Sequence, residues 1–128
     1  MYKSVLFFAA ILAAFSVAIG AFGAHALDGL LTEKFQKIYE TAVRYQMYHS
    51  LALCICGILL YLKPNKFFKL ASNLFIVGTI LFSGSLYLLV FFQLKQISNF
   101  NFIGAITPLG GICFISGWIC LALGTKKI

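Results

Sequence analysis

Acidic residues are almost missing from this chain: three Asp and Glu stand against ten Lys and Arg in 128 residues, and Asp28, Glu33 and Glu40 all fall in one stretch. The apolar runs therefore hold no carboxylate. That removes the paired acids of general acid–base chemistry and the buried Asp or Glu on which ion-coupled transport depends. The spacings His-x-x-His, Glu-x-x-His and Cys-x-x-Cys are absent, and two histidines without nearby acids, His25 and His49, make a poor ligand set for a metal or a haem. Gly-x-Ser-x-Gly, the Walker loop and the dinucleotide fingerprint are absent too. Ser83-Gly84-Ser85 has no Lys or His at a spacing that would identify a base. No catalytic residue, metal or cofactor is assigned, and the chain reads as non-enzymatic. Cysteine is missing from the loops: Cys54, Cys56, Cys113 and Cys120 sit inside apolar runs and read as small buried hydrophobes.

What is present is apolar surface. The chain is 62% hydrophobic and 10% charged, a balance that would expose too much apolar area in a water-soluble globule. Four apolar runs, residues 5–24, 43–62, 70–92 and 102–123, are each long enough to cross a hydrocarbon core of about 30 Å as a helix rising about 1.5 Å per residue. The reading is an all-α integral membrane bundle of four transmembrane helices, a single domain over residues 1–128, with the lipid bilayer as its first partner. No repeat, low-complexity tract or disordered linker interrupts it.

The net charge of +7 does not indicate nucleic acid, because the basic residues scatter over helix ends and loops instead of forming a patch interleaved with aromatics. They read as topology signals. Lys3, Lys63, Lys66, Lys69, Lys126 and Lys127 lie on one side of the four spans, and Lys34, Lys37, Arg44 and Lys95 on the other. The Lys/Arg excess marks the cytoplasmic side, which predicts both termini and the second loop in the cytoplasm. Lys3, the first apolar run and Ala24-His25-Ala26 mimic a secretory signal peptide, but the run is longer than a signal core and is expected to be retained.

Between the first two spans, Leu27, Leu30, Leu31, Phe35, Ile38 and Ala42 recur at helical spacing while Glu33, Lys34, Lys37 and Glu40 take other positions. This predicts a short amphipathic helix lying at the interface, N-capped by Thr32, which either covers the bundle rim or docks a partner. Pro64 forces a tight turn between the second and third spans, so those are antiparallel neighbours. Pro108 predicts a kink or a late start in the fourth.

Polar and small residues are placed with a helical period. Ser72, Ile76, Thr79, Ser83 and Tyr87 form one stripe on the third span that should face protein. Cys113, Gly117, Cys120 and Gly124 form a small-residue stripe on the fourth, and Ala10-Ala14-Ala18 and Ser16-Gly20-Ala24 do so on the first; such stripes serve a monomer or an oligomer. On the second span Gln46, His49, Ser50, Leu53 and Gly57 fall within about 100° of one another and should point inward. Arg44 lies about 140° from His49 and about 40° from Tyr48, and is expected to pair with Glu40 or to snorkel. A neutral imidazole at His49 can both donate and accept between helices.

Gly20-Ala-Phe-Gly-Ala-His-Ala-Leu27, Thr41-Ala-Val-Arg-Tyr-Gln-Met-Tyr-His-Ser-Leu51, Leu81-Phe-Ser-Gly-Ser-Leu-Tyr-Leu88 and Gly104-Ala-Ile-Thr-Pro-Leu-Gly-Gly111, followed by Gly117-Trp118, together resemble DUF family 423 of small membrane proteins. The resemblance spans nearly the whole chain. It implies a multi-pass protein of the bacterial inner membrane, in a family with no established biochemical activity.

With the proposed topology these pieces converge near the extracytoplasmic rim. His25, Arg44, Gln46, His49, Ser83 and Thr107 are the candidate polar cluster there, with Gly110 and Gly111 allowing close helix approach; Gly20, Gly23, Gly84 and Gly117 are the other candidate packing positions. Either the cluster only satisfies buried polar groups or it binds something. Two functions follow: a non-catalytic scaffold or accessory subunit that holds a membrane-protein partner or a second copy of itself, or a binding and transport module for a small molecule, lipid or proton.

Overall fold

The structure, a computed structural model, describes residues 1–99 and 101–128. The chain forms α1 (Tyr2–His25), α2 (Glu33–Leu62), α3 (Lys66–Leu94), a single turn α4 (Asn101–Gly104) and α5 (Ile106–Thr125). Among the described residues, helices α1, α2, α3 and the α4–α5 stretch are the four long and apolar enough to cross a membrane.

The amphipathic stretch does not form a helix of its own. It is helical from Glu33 and runs without a break into the second span as the first turns of α2. Neither Gly nor Pro occurs between Glu33 and Cys56 to end it. At 30 residues α2 is about 45 Å long, so it extends beyond a hydrocarbon core of about 30 Å. Thr32 caps it, its hydroxyl accepting from the Phe35 amide at 3.3 Å. The preceding turn is made at Gly29, whose φ of 74° suits a residue without a Cβ.

Asn65 caps α3 by accepting from the Phe67 amide at 2.8 Å, and its amide group donates 3.1 Å to the Gly124 carbonyl near the end of α5. This bond ties the α2–α3 turn to the C-terminal end, while Met1 and Tyr2 share a crevice with Leu60 and Lys66. Both termini and the second loop thus occupy one end of the bundle. Pro108 is the third residue of α5, in the first turn, where its missing N–H costs no helix bond; the fourth span starts late, after the break at Ala105.

Helix α2 packs on α1 and on α3, and α3 packs on α5. Burial follows from that order: 44% of the apolar window of α2 is inside the protein against 17% for α1, which touches the bundle along one stripe. Val5, Ala9, Ser16 and Gly23 make up the buried part of α1. Ala10, Ala14 and Ala18 all face outward, so this small-residue stripe serves no helix within the chain. Ser16 is buried, Gly20 half-buried and Ala24 exposed along the other stripe.

The α3–α5 seam is a row of phenylalanine knobs in glycine holes. A Cβ on Gly124 would lie 2.4 Å from the Phe68 ring, on Gly117 2.7 Å from the Phe75 ring, and on Gly78 2.5 Å from the Phe114 ring. At Gly110 the obstacle is backbone: a Cβ would lie 2.4 Å from the Phe82 nitrogen. All four pairs, and Ser85 with Thr107 beyond them, obey one antiparallel register, with steps of seven, three, four and three residues along each helix. That is the alternation of three and four by which two helices interlock. Because lipid tails are as apolar as the rings, the seam gains from close packing and not from leaving water.

Candidate functional site

Gln46 sits at the centre of the polar architecture. Its Nε2 donates to the Leu12 carbonyl of α1 at 2.9 Å, and its Oε1 accepts from the Tyr87 hydroxyl of α3 at 2.7 Å. One side chain therefore bridges three helices. Ser16 donates to the Val43 carbonyl at 2.9 Å, Ser83 to the Ala42 carbonyl at 2.7 Å, and Tyr39 to the Ile19 carbonyl. The Tyr39 and Tyr87 rings meet edge to face at 5.9 Å. These bonds latch α1 and α3 onto the same length of α2.

His49 faces the other way, towards α5. Its Nδ1 lies 2.7 Å from the Tyr45 carbonyl, which can only accept, so Nδ1 carries the proton. Nε2 is then a lone pair, and it accepts from the indole Nε1–H of Trp118 at 3.2 Å. The imidazole lies flat on Phe114, centroids 3.5 Å apart and planes 5° from parallel. Tyr45 stacks on Phe82 at 4.7 Å beside it. Tyr45, Tyr48, His49, Gly111, Phe114 and Trp118 are among the residues that line an open groove of about 530 Å³ between α2 and α5.

The remaining candidates occupy separate places. Thr107 donates to Ser85 Oγ at 2.6 Å, since the Ser85 proton already goes to the Phe82 carbonyl. Arg44 is exposed and its side chain reaches Thr41 Oγ1 at 3.5 Å; among the described residues the expected Glu40 pair is not made, and Glu40 accepts from Gln36 Nε2. His25 is exposed at the end of α1, and its side chain makes no hydrogen bond among the described residues. Among the described residues no two of His25, Arg44, Gln46, His49, Ser83 and Thr107 bond to each other, so the structure brings them together only as separate links of neighbouring helices. Of the glycines, Gly20, Gly23, Gly110 and Gly117 sit at close approaches, whereas a Cβ at Gly84 or Gly111 would meet nothing within 4 Å. Gly111 opens into the His49 groove, one residue round the helix from the seam that Gly110 serves.

Buried on α2 are Gln46, His49, Ser50, Leu53 and Gly57, and the α3 stripe from Ser72 to Tyr87 is buried or half-buried throughout. Ser72 and Thr79 donate to the carbonyls of Phe68 and Phe75 four residues back, and Ser72 also lies in hydrogen-bond contact with Cys56 of α2. Sequence reasoning missed Trp118, Phe114, Ser85 and Tyr39 as partners. For Phe114 and Tyr39 the signal was aromatic size opposite glycine, at Gly78 and Gly23, which becomes informative once two helices are paired; Trp118 and Ser85 carried no such signal. In chemical terms the arrangement holds helices together; among the described residues no three His, Cys, Asp or Glu side chains converge.

The DUF423 family, described as protein of unknown function, matches residues 19–111. Relatives include a UPF0382 membrane protein of Staphylococcus haemolyticus, 44% identical over 112 residues, covering 88% of this chain and 86% of the relative. A UPF0382 membrane protein of Bacillus subtilis is 38% identical over 126 residues, covering 98% of both chains. One from Haemophilus influenzae is 42% identical over 113 residues, covering 88% of this chain and 86% of the relative. No solved structure matches.

Proposed function

We propose, from the premise that this chain belongs to the DUF423 family of small multi-pass membrane proteins, that it is a non-catalytic scaffold or accessory subunit of the bacterial plasma membrane. The observation that carries the reading is the use made of its polar and small side chains. Gln46, Tyr87, Ser16, Ser83, Tyr39 and Thr107 are spent on bonds between helices, and the one buried side-chain polar atom without a partner among the described residues is Gln93 Oε1. By contrast, α1 turns Ala10, Ala14 and Ala18 outward. A strip of small side chains lets a second transmembrane backbone approach closely and gain contacts that lipid supplies less well.

The relatives are named as membrane proteins of bacteria, which supports the plasma membrane. Six basic residues on the end that holds both termini, against four on the other, support a cytoplasmic position for that end. A photo-crosslinking residue at position 14 should capture one discrete polypeptide in cells, and the same residue at Ile80, exposed on α3, should not. Ala18→Trp in the same chain should abolish the capture while leaving the amount of chain in the membrane unchanged. Equal labelling from positions 14 and 80, or lipid adducts alone, would refute the reading.

A further inference from the structure

We propose that the crevice between the start of α1 and the α2–α3 turn binds the phosphodiester headgroup of an anionic membrane phospholipid, held by Lys66 and Lys69. Tyr2, Leu60, Pro64, Asn65, Lys66 and Lys69 are among the residues that line this space of about 420 Å³, which falls in the range of about 300–1,000 Å³ found for small-ligand sites.

Charge restricts the ligand first. Lys66 and Lys69 stand three residues apart near the start of α3, so their side chains leave one face of the helix together. Like charges at that spacing repel, and an anion between them relieves the repulsion. Lys127 brings a third ammonium close by: its Nζ lies 4.8 Å from the centre of the Phe67 ring, and Lys66 Nζ lies 5.5 Å from the same ring. No carboxylate side chain answers them. Asp28, Glu33 and Glu40 all belong to the opposite end, between α1 and the first turns of α2. Among the described residues the one ion pair is Lys37 with Glu33. Lys66 and Lys69 are exposed, and among the described residues their ammonium groups make no hydrogen bond or ion pair. Their N–H donors are free for phosphate oxygens, in the charge-assisted bonds that lysine makes as a compact cation.

Depth makes the ligand a lipid. The Tyr2 and Tyr61 rings meet at 5.0 Å beside the crevice, and tyrosine favours the boundary between hydrocarbon and headgroups. Leu60 gives the crevice an apolar wall, and Leu62 and Leu70 are exposed next to it in the chain. A phosphate on the two lysines therefore sits at headgroup depth with apolar side chains in reach of its acyl chains, whereas a free phosphate would use the charges alone. A zwitterionic headgroup fits less well, because its own ammonium would meet lysines and no carboxylate. Basic segments attract anionic lipids in a diffuse way at any membrane surface. The crevice adds one fixed place, so binding should saturate at one lipid.

The purified full chain in dodecyl maltoside is titrated with dioleoylphosphatidylglycerol, and in parallel with dioleoylphosphatidylcholine, and bound lipid is counted by native mass spectrometry. The first phosphatidylglycerol should bind about 25-fold tighter than phosphatidylcholine, because each of the two lysines near the phosphate contributes about fivefold. Lys66→Gln with Lys69→Gln should erase the preference with helix content unchanged, and Lys66→Arg with Lys69→Arg should keep it. Lys3→Gln with Lys126→Gln removes the same charge from the same end outside the crevice and should also keep it. Equal losses in the two glutamine pairs would show diffuse surface attraction and would overturn the proposal, as would equal affinity of the wild-type chain for the two lipids. Competition by glycerol phosphate, the headgroup chemistry without acyl chains, would show a site for soluble phosphate and would overturn it as well.

Discussion

Gly110→Ala destabilises the protein by about 3 kcal/mol or more, whereas Gly111→Ala leaves it unchanged or stabilises it by up to about 1 kcal/mol. The two substitutions add the same methyl group to adjacent residues of one helix, and both gain the intrinsic preference of alanine over glycine. They differ in what the methyl meets. At Gly110 it would lie 2.4 Å from the backbone nitrogen of Phe82, and no rotamer change can move that atom; α3 and α5 must separate. Separation would also loosen the three phenylalanine–glycine contacts in the same register, as well as the Ser85–Thr107 bond. At Gly111 nothing lies within 4 Å. Denaturant unfolding of the purified variants in one detergent gives the comparison directly. Matching midpoints would mean that the helices do not meet in this register.

Gln46→Leu should cost about 1–3 kcal/mol, because it strands the Tyr87 hydroxyl among apolar side chains and removes the second bond to the Leu12 carbonyl. Tyr87→Phe removes one bond and should cost less. Interhelical hydrogen bonds in membranes average about 0.6 kcal/mol and reach about 1.7, so the coupling between positions 46 and 87 in a double-mutant cycle should fall in that range. Additive effects would show that the bond makes no net contribution.

Much of this architecture was legible as one-dimensional pattern. Length and hydropathy identify four helices, and the phases of Gln46, His49 and Ser50 on α2 identify its inward side, because a helix fixes the angle between residues of one element. The angle between elements is not encoded that way. His49 and Trp118 are far apart in sequence, and nothing in either helix alone states that the imidazole acceptor will meet the indole donor. For the same reason six polar residues assigned to one rim make no bond to one another among the described residues: Gln46, His49, Ser83 and Thr107 bond to separate neighbours, and His25 and Arg44 are exposed. The amphipathic stretch shows a second limit: periodicity over residues 27–42 suggests a separate helix, but the helix begins at Glu33, and the transition from polar to apolar residues at 43 marks a change of environment and not a change of backbone. The α3–α5 seam was half visible. The small-residue stripe of α5 could be seen, and the matching phenylalanines of α3 acquire meaning once the two are aligned antiparallel.

The outward alanines of α1 were legible as a stripe but not as to what they serve, since a seam within the chain and a seam between chains have the same composition. Native mass spectrometry of the complex released gently from its own membrane resolves that question. A scaffold or accessory subunit is recovered in fixed stoichiometry with another membrane polypeptide or a second copy of the chain, and Ala14→Trp reduces it to a single chain. Recovery of the wild-type protein as a single chain, with lipid alone attached, would contradict the scaffold reading.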